Sequence, residues 1–220
     1  LVSSLKLSPH VEDRIISNVV LEVPSHNGLK KPFRLFETSI LPVSLQNKYP
    51  DIKSYMGIGV ENPSHRLSIV LFKNGIFGLV IDKNGNSHIK VDQDDRAIIT
   101  FSSLASEHLF DHCEINMQSD NSRDLNDDIF WDCVGTDEPC YPVGSILTTY
   151  RFAGIMSERA TNEVSDGTVE GGLAWMVAMV NQINLLWVRE LSFKLEMVEE
   201  SDQLIFTNNN PAPDVFQQDP

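Results

Sequence analysis

Residues 65–92 constrain the fold more than any other stretch. They read "HRLSIVLF", "KNG", "IFGLVID", "KNG" and "NSHIKVD", three runs rich in β-branched residues split by Asn74-Gly75 and Asn84-Gly85. Tight hairpin turns need positive φ, which glycine adopts at no steric cost and asparagine at little, so each pair marks a hairpin. The stretch is expected to be a three-stranded antiparallel meander. The same pattern stands upstream, where "NVVLEVP" (18–24) and "PFRLFETSI" (32–40) flank a turn at His26-Asn27-Gly28. In the second of these runs Phe33, Leu35 and Glu37 alternate with Arg34, Phe36 and Thr38, so apolar side chains fall on both faces. "PVSLQNKYP" (42–50) lies between Pro42 and Pro50 and fits one short helix that ends by Tyr49. "YMGIGVENP" holds Gly57 and Gly59 but lacks the third glycine and following helix of a dinucleotide fingerprint. A turn or bulge at a strand end is expected there.

Near residue 105 the composition turns polar and acidic, and order returns at about 146. "ILTTYRFAGIM" (146–156) fits a strand through Ile146, Tyr150, Phe152 and Ile155, and "SERATNEVSDGT" reads as a loop. Next comes one long apolar helix, with Asp166 or Thr168 as its cap and Glu170 in its first turn. Leu173, Met176, Val177, Val180, Ile183 and Trp187 form a stripe at helical spacing, and Trp175, Met179 and Leu186 widen it. Arg189 closes the last turn. "LSFKLEMVEE" then alternates as a half-buried strand. Strand, helix and strand in one sheet make a right-handed parallel crossover. Two strands cannot cover such a helix, so either further chain or the N-terminal region does. The fold class is α+β: a β-rich antiparallel domain over 1–105, an acidic linker over 106–145, and an incomplete strand-helix-strand α/β piece over 146–220.

Charge and chemistry narrow the function. Thirty-one acidic against 17 basic residues give a formal net charge of -14, which argues against a nucleic-acid partner. Glu170, Asn181, Gln182 and Asn184 are costly in hydrocarbon, so the long helix is expected in a soluble core rather than a membrane. The chain opens on Leu1 without a basic-then-apolar leader and reads as a processed, secreted-type protein. Cys113, Cys133 and Cys140 include no CxxC pair, leaving either one disulfide and a spare thiol or three reduced thiols. No histidine begins an HExxH, and no GxSxG elbow or phosphate loop is present. His108 and His112 form the one close imidazole pair, beside Asp111 and Cys113, and a solvated loop or cap is expected there. Asp94-Asp95 and the acidic run at 126–128 lack the spacing of a calcium loop and read as solvated surface. No residue is assigned a catalytic or cofactor-binding role.

Two stretches carry a resemblance. "YPDIKSYMGIGVENPSHRLSIVLFKNGIFGLVIDKNG" (49–85) resembles the propeptide of secreted bacterial reprolysin-like zinc metallopeptidases, through Tyr49-Pro50, Tyr55, Gly57, Gly59, Asn62-Pro63, Asp82 and Gly85. Residues 148–208 are similar to the start of that family's metzincin catalytic domain, with Asn181 and Asn184 in the helix, Val188-Arg189-Glu190 leading to the second strand, and "LIFTN" after it. The resemblance implies a zymogen propeptide followed by the first part of a hydrolase domain. The zinc-binding HExxH lies beyond this chain, which is expected to be inactive alone. In the parent protein zinc polarises the scissile carbonyl and activates water. Its partners are then the remainder of its own catalytic domain and, for the parent, protein or peptide substrates. Cys113, in the linker, is the candidate propeptide thiolate ligand for zinc, although "HCEIN" lacks the cysteine-glycine step of better-known switch sequences. Cys133 and Cys140 flank "VGTDEP" as candidates for a local disulfide, with a bridge from either to Cys113 or to a segment outside this chain as the alternatives. The competing reading is a non-catalytic secreted β-rich binding or inhibitory module.

Overall fold

The computed structural model describes residues 5–13, 15–24, 28–82, 85–91, 96–102 and 147–213. Seven strands form one antiparallel meander in chain order: β1 (Val20–Pro24), β2 (Lys30–Thr38), β3 (Lys53–Gly59), β4 (Arg66–Phe72), β5 (Gly75–Asp82), β6 (Gly85–Val91) and β7 (Ala97–Ser102). The hairpins fall where the glycine turns place them, and Gly28 sits at φ 76 before β2. Helix α1 (Val43–Lys48) starts after Pro42 and is closed by Tyr49, as the two prolines require.

β3 corrects the expectation of a turn or bulge at Gly57. It is an interior strand, paired to β2 and β4 along its whole length. Gly57 stands between Leu35 and Leu67, where an added Cβ would lie 2.9 Å from Leu67 Cβ and 3.0 Å from Leu35 Cδ2. The glycine marks close approach of neighbouring side chains within a sheet, not a break in it.

The sheet curls into a half barrel. Lys31 on β2 and Asp82 on β5 are three strand spacings apart, about 14 Å in a flat sheet. Their side chains nevertheless meet at 2.7 Å, with Asp82 only 2% exposed. The concave face is packed by Phe33, Leu35, Tyr55, Leu67, Ile69 and Val80, and Leu5 folds in over them.

The second segment supplies β8 (Thr148–Phe152), α2 (Glu158–Val164), α3 (Val169–Glu190) and β9 (Phe193–Met197). β8 and β9 pair in parallel on either side of the helices, as expected. β8 is shorter than the run 146–156, and Tyr150 and Ile155 are exposed. The stretch expected as a loop contains α2 instead. Ser157 caps it by accepting the Ala160 N–H at 3.3 Å, and the buried Thr161 hydroxyl donates to the Phe206 carbonyl at 2.8 Å. A seven-residue helix is marginal in isolation, so this docking is what holds it.

Both proposed caps of α3 act together. Thr168 accepts the Gly171 N–H, and Asp166 accepts from the Thr168 N–H and hydroxyl. Leu173, Val177 and Val180 are fully buried on the convex face of β3, β4 and β5. Met179 and Leu186 face solvent, so the buried stripe is narrower than the composition suggests. The side chain of Arg189 lies outside those described. One core joins Ile40, Leu45, Ile52, Val70 and Phe77 of the first segment to Met156, Leu173, Val177, Met197 and Ile205 of the second. The N-terminal sheet therefore covers the helix. The fold is α+β and β-rich, and the linker lies outside the described residues.

Candidate functional site

The polar chemistry of the described residues concentrates at the seam between the two segments. Asn181 sits on the buried stripe, two helical turns after Leu173, and is 2% exposed. Its Nδ2 donates to the Tyr55 carbonyl at 2.9 Å and to Ser68 Oγ at 2.8 Å, and its Oδ1 accepts from Thr38 Oγ1 at 3.0 Å. One amide thus ties α3 to β2, β3 and β4. Asn184, one turn further on, accepts the Leu195 N–H at 2.8 Å and donates to the Leu195 carbonyl at 2.9 Å. It occupies the outer edge of β9 as a neighbouring strand would. The Met197 N–H on that same edge donates to the Ile40 carbonyl at 2.9 Å.

The other edge of the pair is different. β8 pairs with β9 alone, and its first four residues are exposed. Among the described residues no strand or side chain covers its outer edge. Among the described residues, the α/β unit is closed at β9 and has no partner strand on the outer edge of β8.

Three carboxylates complete the seam. Asp202 accepts from Lys48 Nζ and, at 3.0 Å, from the Tyr49 hydroxyl. Burial raises the Asp202 pKa, but these hydrogen bonds outweigh it and leave the carboxyl below its usual range. Asp166 takes a 2.6 Å bond from Asn74 Nδ2. Burial raises its pKa too, and donation by Thr168 and Asn74 brings it below the usual range. Glu12 pairs with Lys194 at 2.9 Å, and that bond lowers its pKa.

These groups tie the two segments together. The serine–histidine contact of His10 Nε2 with Ser39 Oγ at 2.8 Å has the wrong polarity for a nucleophile and its base. His10 Nδ1 accepts the Glu12 N–H, so Nε2 carries the proton and donates to Ser39. Among the described residues, no group of three or more His, Cys, Asp or Glu side chains is placed to hold a metal ion. Cys113, Cys133, Cys140, the His108–His112 pair and the two acidic runs all lie outside the described residues. Sequence reasoning noted Asn181 and Asn184 as a membrane cost and a family likeness, and missed their role in joining the segments. The available signal was their place at helical spacing in line with Leu173 and Val177.

Comparison with family models, with curated proteins and with solved structures returns no match to this chain.

Proposed function

We propose that this chain is the propeptide and the opening part of the catalytic domain of a secreted zinc endopeptidase precursor. The half barrel serves as the inhibitory and folding-assisting element, and residues 146–220 begin the hydrolase domain. The observation that carries this reading is the open edge of β8. Among the described residues a two-stranded parallel sheet has one edge sealed and the other without a partner strand, the form of an α/β layer that further strands would complete. The two stretches of family resemblance support it independently, since they fall on β3–β5 and on β8–α3–β9. Zinc belongs to the parent, held by residues other than those described here, and its work is to polarise the peptide carbonyl and activate water. Cys113 remains the proposed thiolate that occupies the metal's open position in the latent form.

Coding sequence downstream of Pro220 tests the proposal. An HExxHxxGxxH within about two hundred residues supports it, and a natural stop codon at that point sinks it. The chain itself is expected to show no peptidase activity and to bind zinc no more tightly than roughly micromolar, because its described residues offer no complete ligand set. Chelator-sensitive proteolysis that co-purifies with the chain contradicts this. In the zinc-loaded full-length precursor, Cys113→Ser is expected to abolish latency, and unchanged latency removes the thiolate from the mechanism.

The shared core favours a second reading. Because α3 is buried on β3–β5, the two segments can also form one non-catalytic secreted binding or inhibitory module. A natural stop near Pro220, together with cooperative unfolding of both segments in one transition, supports that alternative.

A further inference from the structure

The half barrel is filled along most of its concave face but opens at one end. A cavity of about 710 Å³ lies in this mouth. At its base Tyr55 is 1% exposed, and its hydroxyl has no hydrogen-bond partner among the described residues. Tyr55 Oη is not among the fully buried atoms left unsatisfied, so it keeps a sliver of access to the cavity, where a ligand that accepts from it takes the place of solvent. Burial, with Glu37 nearby, pushes the Tyr55 pKa up to about 12, so the group is a neutral donor at physiological pH. Leu71, Ile76 and Val91 give the cavity an apolar wall. Lys53 and Glu37 neutralise each other at 3.0 Å. Lys6 and Lys73 also line the opening, and neither pairs with an acid among the described residues; Asp51 sets one negative charge against them.

We propose that the mouth of the half barrel binds a small amphipathic carboxylate. Its head group accepts from Tyr55 in the field of Lys6 and Lys73, and its hydrocarbon body lies along Leu71, Ile76 and Val91. Mouths of β-barrels are recurrent ligand sites, and pockets of this kind combine apolar walls with a few placed polar groups. Two lysines and one neutral donor suit a monoanion, because lysine acts as a point charge and offers no planar fork. The site lies at the end of the half barrel and does not depend on the peptidase reading.

Calorimetric titration of the full 220-residue chain with decanoate tests it. Saturable one-to-one binding is expected, with decanol weaker by roughly tenfold or more, the worth of one charge-assisted hydrogen bond. Tyr55→Phe keeps the ring in the core and is expected to weaken decanoate by a similar factor. The exposed double variant Lys6→Ala/Lys73→Ala is expected to weaken decanoate, leave decanol unchanged and abolish the salt dependence. Absence of saturable binding, equal affinity for decanoate and decanol, or unaltered decanoate affinity in both variants overturns the proposal.

Discussion

At Asn181 a single side chain meets three strands, donating to Tyr55 and Ser68 and accepting from Thr38. Asn181→Leu keeps most of the volume but leaves the Tyr55 carbonyl and Ser68 Oγ without this buried donor, while Thr38 retains Ser54. The expected destabilisation is about 2–4 kcal/mol, since an unsatisfied buried polar group costs about 1–3 kcal/mol. Urea denaturation of the variant checks this, and a change within about 0.5 kcal/mol, as for an ordinary surface substitution, rules it out. Gly57 makes the opposite kind of demand. Gly57→Ala drives a methyl toward Leu67 and Leu35, and overpacking of this kind costs about 1–3 kcal/mol. Leu67→Ala in the same chain is expected to recover part of the methyl's strain while adding its own cavity cost, so a double-mutant cycle separates the two. Neither residue is exceptional in composition. Asn181 was legible only as a polar interruption of an apolar stripe, because the sequence does not name the strands that its amide meets.

Among the elements, α3 shows both what local signals carry and where they stop. Its start is written in Asp166 and Thr168, which cap the first turn together. Thr168→Ala is expected to cost about 1 kcal/mol through the lost N-cap. A thermal melt reads that loss, and Thr168→Ser should restore most of it. The buried face also follows the expected spacing through Leu173, Val177 and Val180. The outer flank does not: Met179 and Leu186 are apolar yet exposed. Hydrophobicity reports what a residue tolerates, and packing decides which apolar residues are covered. In the sequence α2 reads as a loop, because seven residues carry too little periodicity to register. Thr161 and the carbonyl of Phe206, 45 residues away in sequence, hold it.

Across the whole molecule, the described ionic ties between the segments are carboxylates of the second segment on donors of the first, or the reverse: Asp202 with Lys48 and Tyr49, Asp166 with Asn74, and Glu12 with Lys194. All three carboxyl groups have pKa values below their usual range. A depressed carboxyl stabilises the fold fully above its unfolded pKa and loses that contribution as pH falls through its folded pKa. The seam is therefore expected to weaken from about pH 4 downward, the ordinary titration range of Asp and Glu. Glu12 contributes least, being mostly exposed. Fluorescence of Trp175 and Trp187 on α3, followed against pH, checks the loosening. Asp202→Asn should flatten the profile, and a profile that is flat in the unmodified chain contradicts the assignment. By itself the sequence determined the glycine hairpins, the proline-bounded α1, the length and cap of α3, and the strands on either side of it. Each of these rests on φ preference or periodicity within a few residues. Only the tertiary structure decided that β3 runs through its glycines, that the sheet curls until Lys31 reaches Asp82, and that α3 lies on the N-terminal sheet. An apolar stripe encodes the need for a partner surface, whereas the choice of surface depends on shape and hydrogen-bond complementarity between residues more than a hundred positions apart.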